Sequence, residues 1–186
     1  MTRVFIAGSR NISRLNDQIS ERLENIVNSG YMVLVGDANG ADKSVQTYLR
    51  DKQYDNVTVY CSGNNCRNNV GGWQEQQVSV SETLSGLKFY MVKDRKMAED
   101  SNYGFMLWDG KSAGTISNVI ELLKLNKSVL VYFAPEKKFY TISKLDNINE
   151  LLEKCEPDLI EVINKKINIK KSIMQLSQQS QLAMSI

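Results

Sequence analysis

The sequence lacks histidine altogether among its 186 residues. This absence excludes Ser-His and Cys-His nucleophilic pairs, imidazole general bases and most zinc sites. The cysteines, Cys61, Cys66 and Cys155, form an odd set without a Cys-x-x-Cys motif. We therefore expect free thiols and predict neither a disulfide framework nor a metal site. Any chemistry would have to use carboxylates, lysine, tyrosine or bound water.

Long apolar runs are also missing, since none approaches the length of about 18 residues that a transmembrane helix needs. The N-terminus shows no signal-peptide pattern. We expect a cytoplasmic protein with no membrane partner. The net charge of only +2 argues against a surface built to neutralise a nucleic-acid backbone. Nucleic acid is therefore not an expected partner, and we interpret the lysines at 165, 166, 170 and 171 as a solvated helix face.

Apolar runs that predict strands alternate with amphipathic stretches that predict helices. The predicted strands are residues 3–7, 31–35, 56–60, 87–92, 103–107 and 128–133, with a hairpin edge at 138–142. Helices are expected between most of them, including 74–85, 93–101 and 146–155, and again from Pro157. This alternation predicts an α/β fold with a mostly parallel sheet of about six strands and C-terminal helices.

The predicted organisation is one domain over residues 1–143 and a helical extension over 144–186. The extension would pack on the domain or on a second subunit of a homodimer or higher homo-oligomer. The Gln- and Ser-rich residues at its end would either fray or join such a contact.

The segment Trp108 to Thr115 connects a predicted strand to a predicted helix through Gly110 and Gly114. Unpaired N–H groups and the helix dipole favour an anion at such a helix start, and Lys111 would add to that preference. The alternative is an ordinary turn with Ser112 or Thr115 as the helix N-cap.

Polar, glycine-bearing turns also follow the first and second strands, at residues 8–10 and 36–42. Ligands of parallel α/β sheets bind beyond the carboxyl ends of the strands, so these turns would meet over one crevice. The spacing of the glycines fits neither the dinucleotide fingerprint nor the Walker P-loop. The candidate ligand-binding residues are Gly8, Ser9, Arg10, Gly36, Asp37, Ala38, Asn39, Gly40, Asp42, Arg67, Lys93, Asp94, Asp109, Gly110, Lys111, Ser112, Gly114, Thr115 and Asn118.

Charged side chains at this predicted crevice have two possible roles. Arg10, Lys93, Arg95 and Lys111 could pair with phosphate, or remain ordinary surface charges. The carboxylates Asp37, Asp42, Asp94 and Asp109 could bind ribose hydroxyls, act as bases or cap helices. The polar segment at 61–73, which contains Arg67, is either a lid or binding loop or a disordered surface excursion.

The segments at 8–10, 36–42, 93–97 and 108–115 together resemble the SLOG superfamily, particularly its small bacterial members. The resemblance covers about residues 3–133. It implies a Rossmann-like three-layer domain that binds a nucleotide or an ADP-ribose-type molecule over the Gly-Thr loop. The superfamily includes the Lonely Guy phosphoribohydrolases, the DNA-processing protein A and nucleotide-sensor domains of antiphage systems.

The phosphoribohydrolases of that superfamily carry an Arg before the fifth strand and a Glu just after the Gly-Thr pair. Here Lys93 stands at the first position, and Ile116, Ser117 and Asn118 follow Thr115. The resemblance therefore implies binding without that hydrolase chemistry.

The main functional hypothesis is binding or sensing of a nucleotide-derived small molecule of the ADP-ribose, NAD or cyclic-nucleotide type. No other cofactor is predicted. A first alternative is an N-glycosidic hydrolase or transferase that uses Asp109, Asp37 or Asp42. A second alternative is single-stranded DNA binding, which near-neutral charge disfavours.

Overall fold

The strands of the computed structural model form one seven-stranded sheet, and the structure describes residues 1–184, with side chains to residue 178. The strands are β1 (Arg3–Gly8), β2 (Met32–Gly36), β3 (Val57–Ser62), β4 (Gln74–Val78), β5 (Tyr103–Trp108), β6 (Val129–Phe133) and β7 (Lys138–Ile142). The helices are α1 (Asp17–Asn28), α2 (Ala41–Asp51), α3 (Gly86–Asp100), α4 (Ala113–Lys124), α5 (Leu145–Leu152), α6 (Pro157–Ile167) and α7 (Ile169–Met184).

The sheet has the order β4-β3-β2-β1-β5-β6-β7, and every neighbouring pair is parallel except β6 with β7. This arrangement confirms the predicted α/β class, the mostly parallel sheet and the hairpin edge. Strand β1 lies between β2 and β5. From β1 the chain first adds β2, β3 and β4 on one side of the sheet and then β5, β6 and β7 on the other, so the direction of strand order changes at β1. The crevice beyond the carboxyl ends of β1 and β5 is the position where such sheets bind ligands.

The central strands are apolar without alternation because helices cover both of their faces. Neighbouring residues of β1 face opposite sides of the sheet, since Phe5 belongs to one buried cluster and Val4 and Ile6 to the other. The first cluster lies under α3 and α4, and the second lies under α1 and α2. Two cores therefore fix the sheet between its helical layers.

The prediction was wrong over residues 74–92. The expected helix at 74–85 contains strand β4, and the expected strand at 87–92 belongs to helix α3, which also includes the predicted helix at 93–101. Strand β4 is polar and exposed because it lies at the sheet edge and pairs only with β3. The start of α3 is apolar on more than one side, so its pattern imitates a strand.

The expectation of three free thiols was also wrong. Cys61 and Cys66 form a disulfide with a Cα–Cα distance of 5.1 Å, whereas Cys155 is free. Cys61 lies near the end of β3, and the chain turns at Gly63 in the left-handed region, with φ of 78°, before Cys66 returns to it. Two cysteines five residues apart can approach each other only if the chain turns between them. This spacing is not a Cys-x-x-Cys motif, so the sequence did not indicate the disulfide.

The C-terminal helices lie on the same layer as α4. Helix α5 contacts β7, and α6 and α7 contact α4, with Ile163 and Leu176 buried in the cluster under α4. A second subunit stays a prediction. Of the Gln- and Ser-rich end, residues 185–186 and the side chains of 179–184 lie outside the described part. None of the described helices has the length and hydropathy that crossing a membrane requires.

Gly8 ends β1 where three elements meet, and this contact gives the first prediction. A Cβ on Gly8 would lie 2.7 Å from the Cβ of Ala41 and 2.5 Å from the carbonyl oxygen of Leu107. We expect Gly8→Ala to lower the free energy of unfolding by about 1–3 kcal/mol in urea denaturation, because neither neighbour can move freely.

The matched control is Gly114→Ala. A Cβ there would have its nearest neighbour at 3.7 Å, in ordinary van der Waals contact, and alanine favours the helix. Equal stability of Gly8→Ala and the wild type would show that the end of β1 is not tightly packed.

Candidate functional site

A cavity of about 680 Å³ lies beyond the carboxyl ends of β1 and β5. Its walls are the turn after β1, the start of α4 and one face of α3. The lining residues are Ala7, Gly8, Ser9, Arg10, Asn11, Ala38, Asp42, Arg67, Gly86, Leu87, Tyr90, Lys93, Asp94, Lys111, Ser112, Ala113, Gly114, Thr115, Asn118 and Lys166. We call this cavity the switch-point pocket.

The start of α4 forms one wall of the switch-point pocket. Ser112 is the N-cap, since its hydroxyl oxygen accepts from the Thr115 N–H at 3.3 Å and from the Thr115 hydroxyl at 2.9 Å. In the part of the chain that the structure describes, the N–H groups of Ala113 and Gly114 donate to no protein acceptor. Free N–H groups at the positive end of a helix dipole attract an anion.

Asp109 holds this wall in place rather than lining the pocket. Its carboxylate accepts from the Ser9 hydroxyl and the Asn11 amide, each at 2.8 Å. It also accepts from the backbone N–H groups of Lys111 at 3.1 Å and Ser112 at 2.8 Å. Burial opposes ionisation of Asp109, but these hydrogen bonds from Asn11, Ser9 and the backbone hold the pKa of the carboxyl below its usual value.

Buried charges form the floor of the pocket. The Lys93 ammonium donates to Asp94 at 2.7 Å and lies 4.0 Å from the nearer oxygen of Asp37. Asp42 accepts from the Ala38 N–H at 3.1 Å and is buried beside Lys93. A Cβ on Gly36 would collide with the Asp42 carboxylate and the Lys93 ammonium, so glycine provides the space in which these charges meet.

Asp42 and Lys93 respond differently to burial. Burial raises the pKa of Asp42 to about 6, since the attraction of Lys93 only partly offsets the loss of water. Burial also disfavours the charged form of Lys93, but Asp94 and Asp42 outweigh it and the pKa of Lys93 is raised. The floor therefore holds a permanent cation and one carboxyl that titrates near neutral pH.

Arg67 and Asp37 form the strongest ion pair of the region. The guanidinium donates to the two carboxylate oxygens at 2.9 and 2.6 Å, and the Arg67 backbone N–H donates at 3.0 Å. Burial alone would raise the pKa of Asp37, but the hydrogen bonds from Arg67 lower it. Asp37 is saturated by these contacts and does not line the pocket.

Tyr90 is the aromatic wall of the pocket. The Arg67 guanidinium carbon lies 4.1 Å from the centre of its ring, and that of Arg10 lies 5.3 Å away. Helix α3 presents Tyr90 together with Leu87, Lys93 and Asp94, because this spacing places them on one helix face. The pocket thus combines an anion-binding helix start with an aromatic ring flanked by cations.

The structure brings most of the predicted site residues together. Those that line the pocket are Gly8, Ser9, Arg10, Ala38, Asp42, Arg67, Lys93, Asp94, Lys111, Ser112, Gly114, Thr115 and Asn118. Those that do not line it are Gly36, Asp37, Asn39, Gly40, Asp109 and Gly110, of which Asp37 and Asp109 support the walls. Arg95 lies outside the pocket and approaches Glu121 at 3.9 Å.

The lining residues that were not among the predicted candidates are Ala7, Asn11, Gly86, Leu87, Tyr90, Ala113 and Lys166. Tyr90 was assigned to a strand, whereas the helical spacing from Leu87 to Asp94 would have placed it beside Lys93. Lys166 was interpreted as part of a solvated face, but α6 packs on α4 and brings this exposed lysine to the pocket rim.

The segment after β3 is not an unattached surface excursion. Asn68 donates to the Asp37 carbonyl at 2.8 Å, and the Gln46 side chain joins Asn68 and Val70 to the sheet. Away from the pocket, Cys61, Cys66 and Glu75 have potential metal-ligand atoms within 4.8 Å of one another. The two sulfurs are bonded to each other, so this group has no thiolate to offer a metal in the oxidised form.

The fold and the cavity define a Rossmann-like α/β protein with a pocket at the reversal of strand order. The structure is similar to that of DNA processing protein A from Helicobacter pylori, with a TM-score of 0.55 and 16% sequence identity over 90% of this chain and 80% of that chain. No family model and no curated protein matches the chain. The likeness shows the shared fold, and SLOG membership stays a prediction.

The solved structure of that protein concerns its binding mode for single-stranded DNA. The expectation that nucleic acid is an unlikely partner was therefore wrong as an argument from net charge, because a protein of this fold binds single-stranded DNA. Net charge is a sum over the whole surface. A sum over the surface gives no information about where the charges lie. Five cations line one pocket, namely Arg10, Arg67, Lys93, Lys111 and Lys166.

The raised pKa of Asp42 predicts a pH-dependent stability. Because the pKa in the folded protein, about 6, exceeds the ordinary value of 3.8, the contribution of Asp42 is fully present below about pH 3.8 and is lost as the pH rises through about 6. We expect Asp42→Asn to be more stable than the wild type at pH 7.5 by on the order of 1–3 kcal/mol. Most of this advantage should disappear at pH 4.5 in urea denaturation.

The exposed Asp55→Asn is the matched control, with the same chemical change outside the pocket. A stability difference for Asp42→Asn that does not change with pH would contradict the assignment.

Proposed function

We propose that the switch-point pocket binds the phosphate and base of a nucleotide. The observation that carries the proposal is that several cations line the same pocket as the start of α4, where two N–H groups have no protein acceptor among the described residues. Phosphate satisfies such groups and gains from the helix dipole. The hydroxyls of Ser112 and Thr115 and the ammonium of Lys111 supply further donors.

Tyr90 is suited to the base of the same nucleotide. Its ring lies in the pocket wall and is flanked by the guanidinium groups of Arg67 and Arg10. Aromatic rings and guanidinium planes both stack on nucleobases, and such stacking tolerates any base. A phosphate at the start of α4 and a base at Tyr90 would use two parts of the same cavity lining.

Single-stranded DNA is the first candidate source of this nucleotide. The fold comparison favours it, since a chain of this fold binds single-stranded DNA. The rim favours it as well, because Arg10, Lys111 and Lys166 are exposed and could contact the phosphates on either side of a bound nucleotide.

A free nucleotide-derived molecule of the ADP-ribose, NAD or cyclic-nucleotide type is the second candidate. The specific observation in its favour is the cavity of about 680 Å³, a size usual for sites that bind small molecules. If the bound molecule were also cleaved at its N-glycosidic bond, Asp42 would be the acid. It is the one carboxylate of the three proposed catalytic candidates that lines the pocket.

The phosphate contact is tested with Lys111→Ala. We expect the affinity for a fluorescein-labelled oligothymidylate, measured by fluorescence anisotropy, to fall about three- to tenfold because a charged hydrogen-bond donor is lost. The slope of log K against log salt concentration should decrease by about one unit. ADP-ribose and NAD, added as competitors, distinguish the two candidate ligands.

Lys88→Ala is the matched control, since Lys88 is an exposed lysine of α3 that does not line the pocket. An equal loss in the two variants would mean that binding depends on general charge. Absence of binding by the oligonucleotide and by every nucleotide would overturn the proposed function.

The base contact is tested with Tyr90→Ala and Tyr90→Phe. Removal of the ring should cost about 1–3 kcal/mol of binding free energy, whereas phenylalanine keeps the stacking surface and should bind nearly as well as the wild type. The same anisotropy titration measures both. Equal losses in the two variants would assign a hydrogen bond of the hydroxyl, and not stacking, to Tyr90.

A further inference from the structure

The disulfide between Cys61 and Cys66 ends one residue before Arg67, the cation that connects the pocket wall to Asp37. Neither cysteine lines the pocket. Cys61 is completely buried in β3, where its strand is paired with β2 on one side and β4 on the other. Cys66 is half-buried and lies in the loop. The disulfide thus attaches a loop residue to a buried position of a strand that is paired on both sides.

This attachment limits where Arg67 can go. The backbone N–H and guanidinium of Arg67 donate to Asp37 at 2.6 to 3.0 Å, and the guanidinium covers Tyr90 at 4.1 Å. The next anchors are Ser62, at the end of β3, and Asn68, which donates to the Asp37 carbonyl at 2.8 Å. Without the disulfide, residues 63–67 would be held between those anchors by Arg67 itself and by the Gly63 N–H, which donates to Val78.

We propose that thiol–disulfide exchange at Cys66 controls the position of Arg67 and thereby the ligand affinity of the switch-point pocket. The affinity part of this inference depends on the proposed function. The exchange site itself does not. The reactant is a dithiol reductant, which attacks the more exposed cysteine of the pair, Cys66.

The exchange proceeds in two balanced steps. A thiolate of the dithiol attacks the Cys66 sulfur, the Cys61–Cys66 bond breaks, and Cys61 leaves as a thiolate that takes up a proton. The second thiolate of the reductant then attacks the reductant's first sulfur, which is bonded to Cys66 in the mixed disulfide. This step closes the disulfide of the reductant and releases Cys66 as a thiolate that takes up a proton. The protein disulfide gains two electrons and two protons, and the dithiol becomes a disulfide.

Burial assigns these roles to the two cysteines. Cys61 is completely buried, whereas Cys66 is partly exposed, so we assign Cys66 as the point of attack for an external thiolate. Cys155 does not compete as an internal attacking group, because burial raises the pKa of its thiol to about 11. Its sulfur lies at Gly110, on the opposite side of the pocket from the loop.

Reduction would leave β3 unchanged and release the loop. Cys61 remains in its ladder, but Cys66 loses its covalent attachment, so Arg67 gains conformations in which it no longer covers Tyr90 or pairs with Asp37. Each such conformation removes a fixed cation from the pocket wall and leaves the buried Asp37 carboxylate with Lys93, at 4.0 Å, as its remaining cationic neighbour. Both effects weaken the binding of an anion, so the reduced protein should have the lower affinity.

The full-length protein in the Cys155→Ser background tests the exchange directly. We compare its oxidised form with the form reduced by dithiothreitol, both in EDTA so that no metal can bridge Cys61, Cys66 and Glu75. Alkylation in denaturant followed by mass spectrometry should add no label to the oxidised form and two labels to the reduced form. Hydrogen exchange of the peptide covering residues 63–70 should become at least about tenfold faster on reduction.

The ligand arm uses the fluorescein-labelled oligothymidylate as probe. Reduction, and equally Cys66→Ser without reduction, should weaken its binding about three- to tenfold. Unchanged hydrogen exchange of residues 63–70 on reduction would overturn the inference whatever the affinity. If the probe binds neither form, the proposed function fails, but the exchange measurement still decides whether the disulfide controls the loop.

Discussion

The pairing of β1 with both β2 and β5 is the constraint on which the rest of the structure depends. It places the turn after β1 between the turns that follow its two neighbours, and the Ser9 N–H donates to the Leu107 carbonyl at 2.9 Å across this junction. Gly8 permits the close approach, since any side chain there would collide with β5 and α2. Asp109 then joins the turn after β5 to Ser9 and Asn11. The start of α4, the proposed anion site, is thus fixed by the backbone at Gly8 and by the hydrogen bonds of Asp109.

Buried charge is the second feature that shapes the pocket. Lys93, Asp42 and Asp37 are buried close together, with the partly buried Asp94 and the more exposed Arg67 beside them. Buried charges are tolerated only when they are paired and hydrogen-bonded. Three carboxylates face two cations here, and this surplus falls when Asp42 takes up a proton below about pH 6. A bound phosphate at the rim would meet cations first and carboxylates only at the floor. This separation of charge orients a ligand whose anionic group lies at one end.

Much of the fold follows from local patterns that the sequence displays directly. Continuous apolar runs identify β1, β2, β3, β5 and β6, because strands covered on both faces need no polar positions. The same rule fails for β4, a polar edge strand, and for the start of α3, which is apolar toward the pocket as well as the core. The pattern of a single element cannot distinguish a polar edge strand such as β4 from a surface helix. It also cannot distinguish the apolar start of α3 from a buried strand.

The candidate site was partly predictable for the same reason. Glycine-bearing turns at strand ends identified the walls formed by residues 8–10 and 112–115, since their positions follow from strand order alone. Tyr90 and Lys166 were missed because each depends on how a helix packs, and net charge misled the interpretation of partners. Asp37 and Asp109 illustrate the converse. Both are at the predicted places, but their hydrogen bonds are already used within the protein.

The most direct measurement of the central claim is a titration of the ¹⁵N-labelled protein with unlabelled oligothymidylate, followed through the backbone amide resonances. The account predicts the largest shifts at Ala113 and Gly114, whose N–H groups have no protein acceptor, with further shifts at Ser9 and Arg10. Shifts confined to the exposed lysines of α6 and α7, with the amides of Ala113 and Gly114 unchanged, would contradict it.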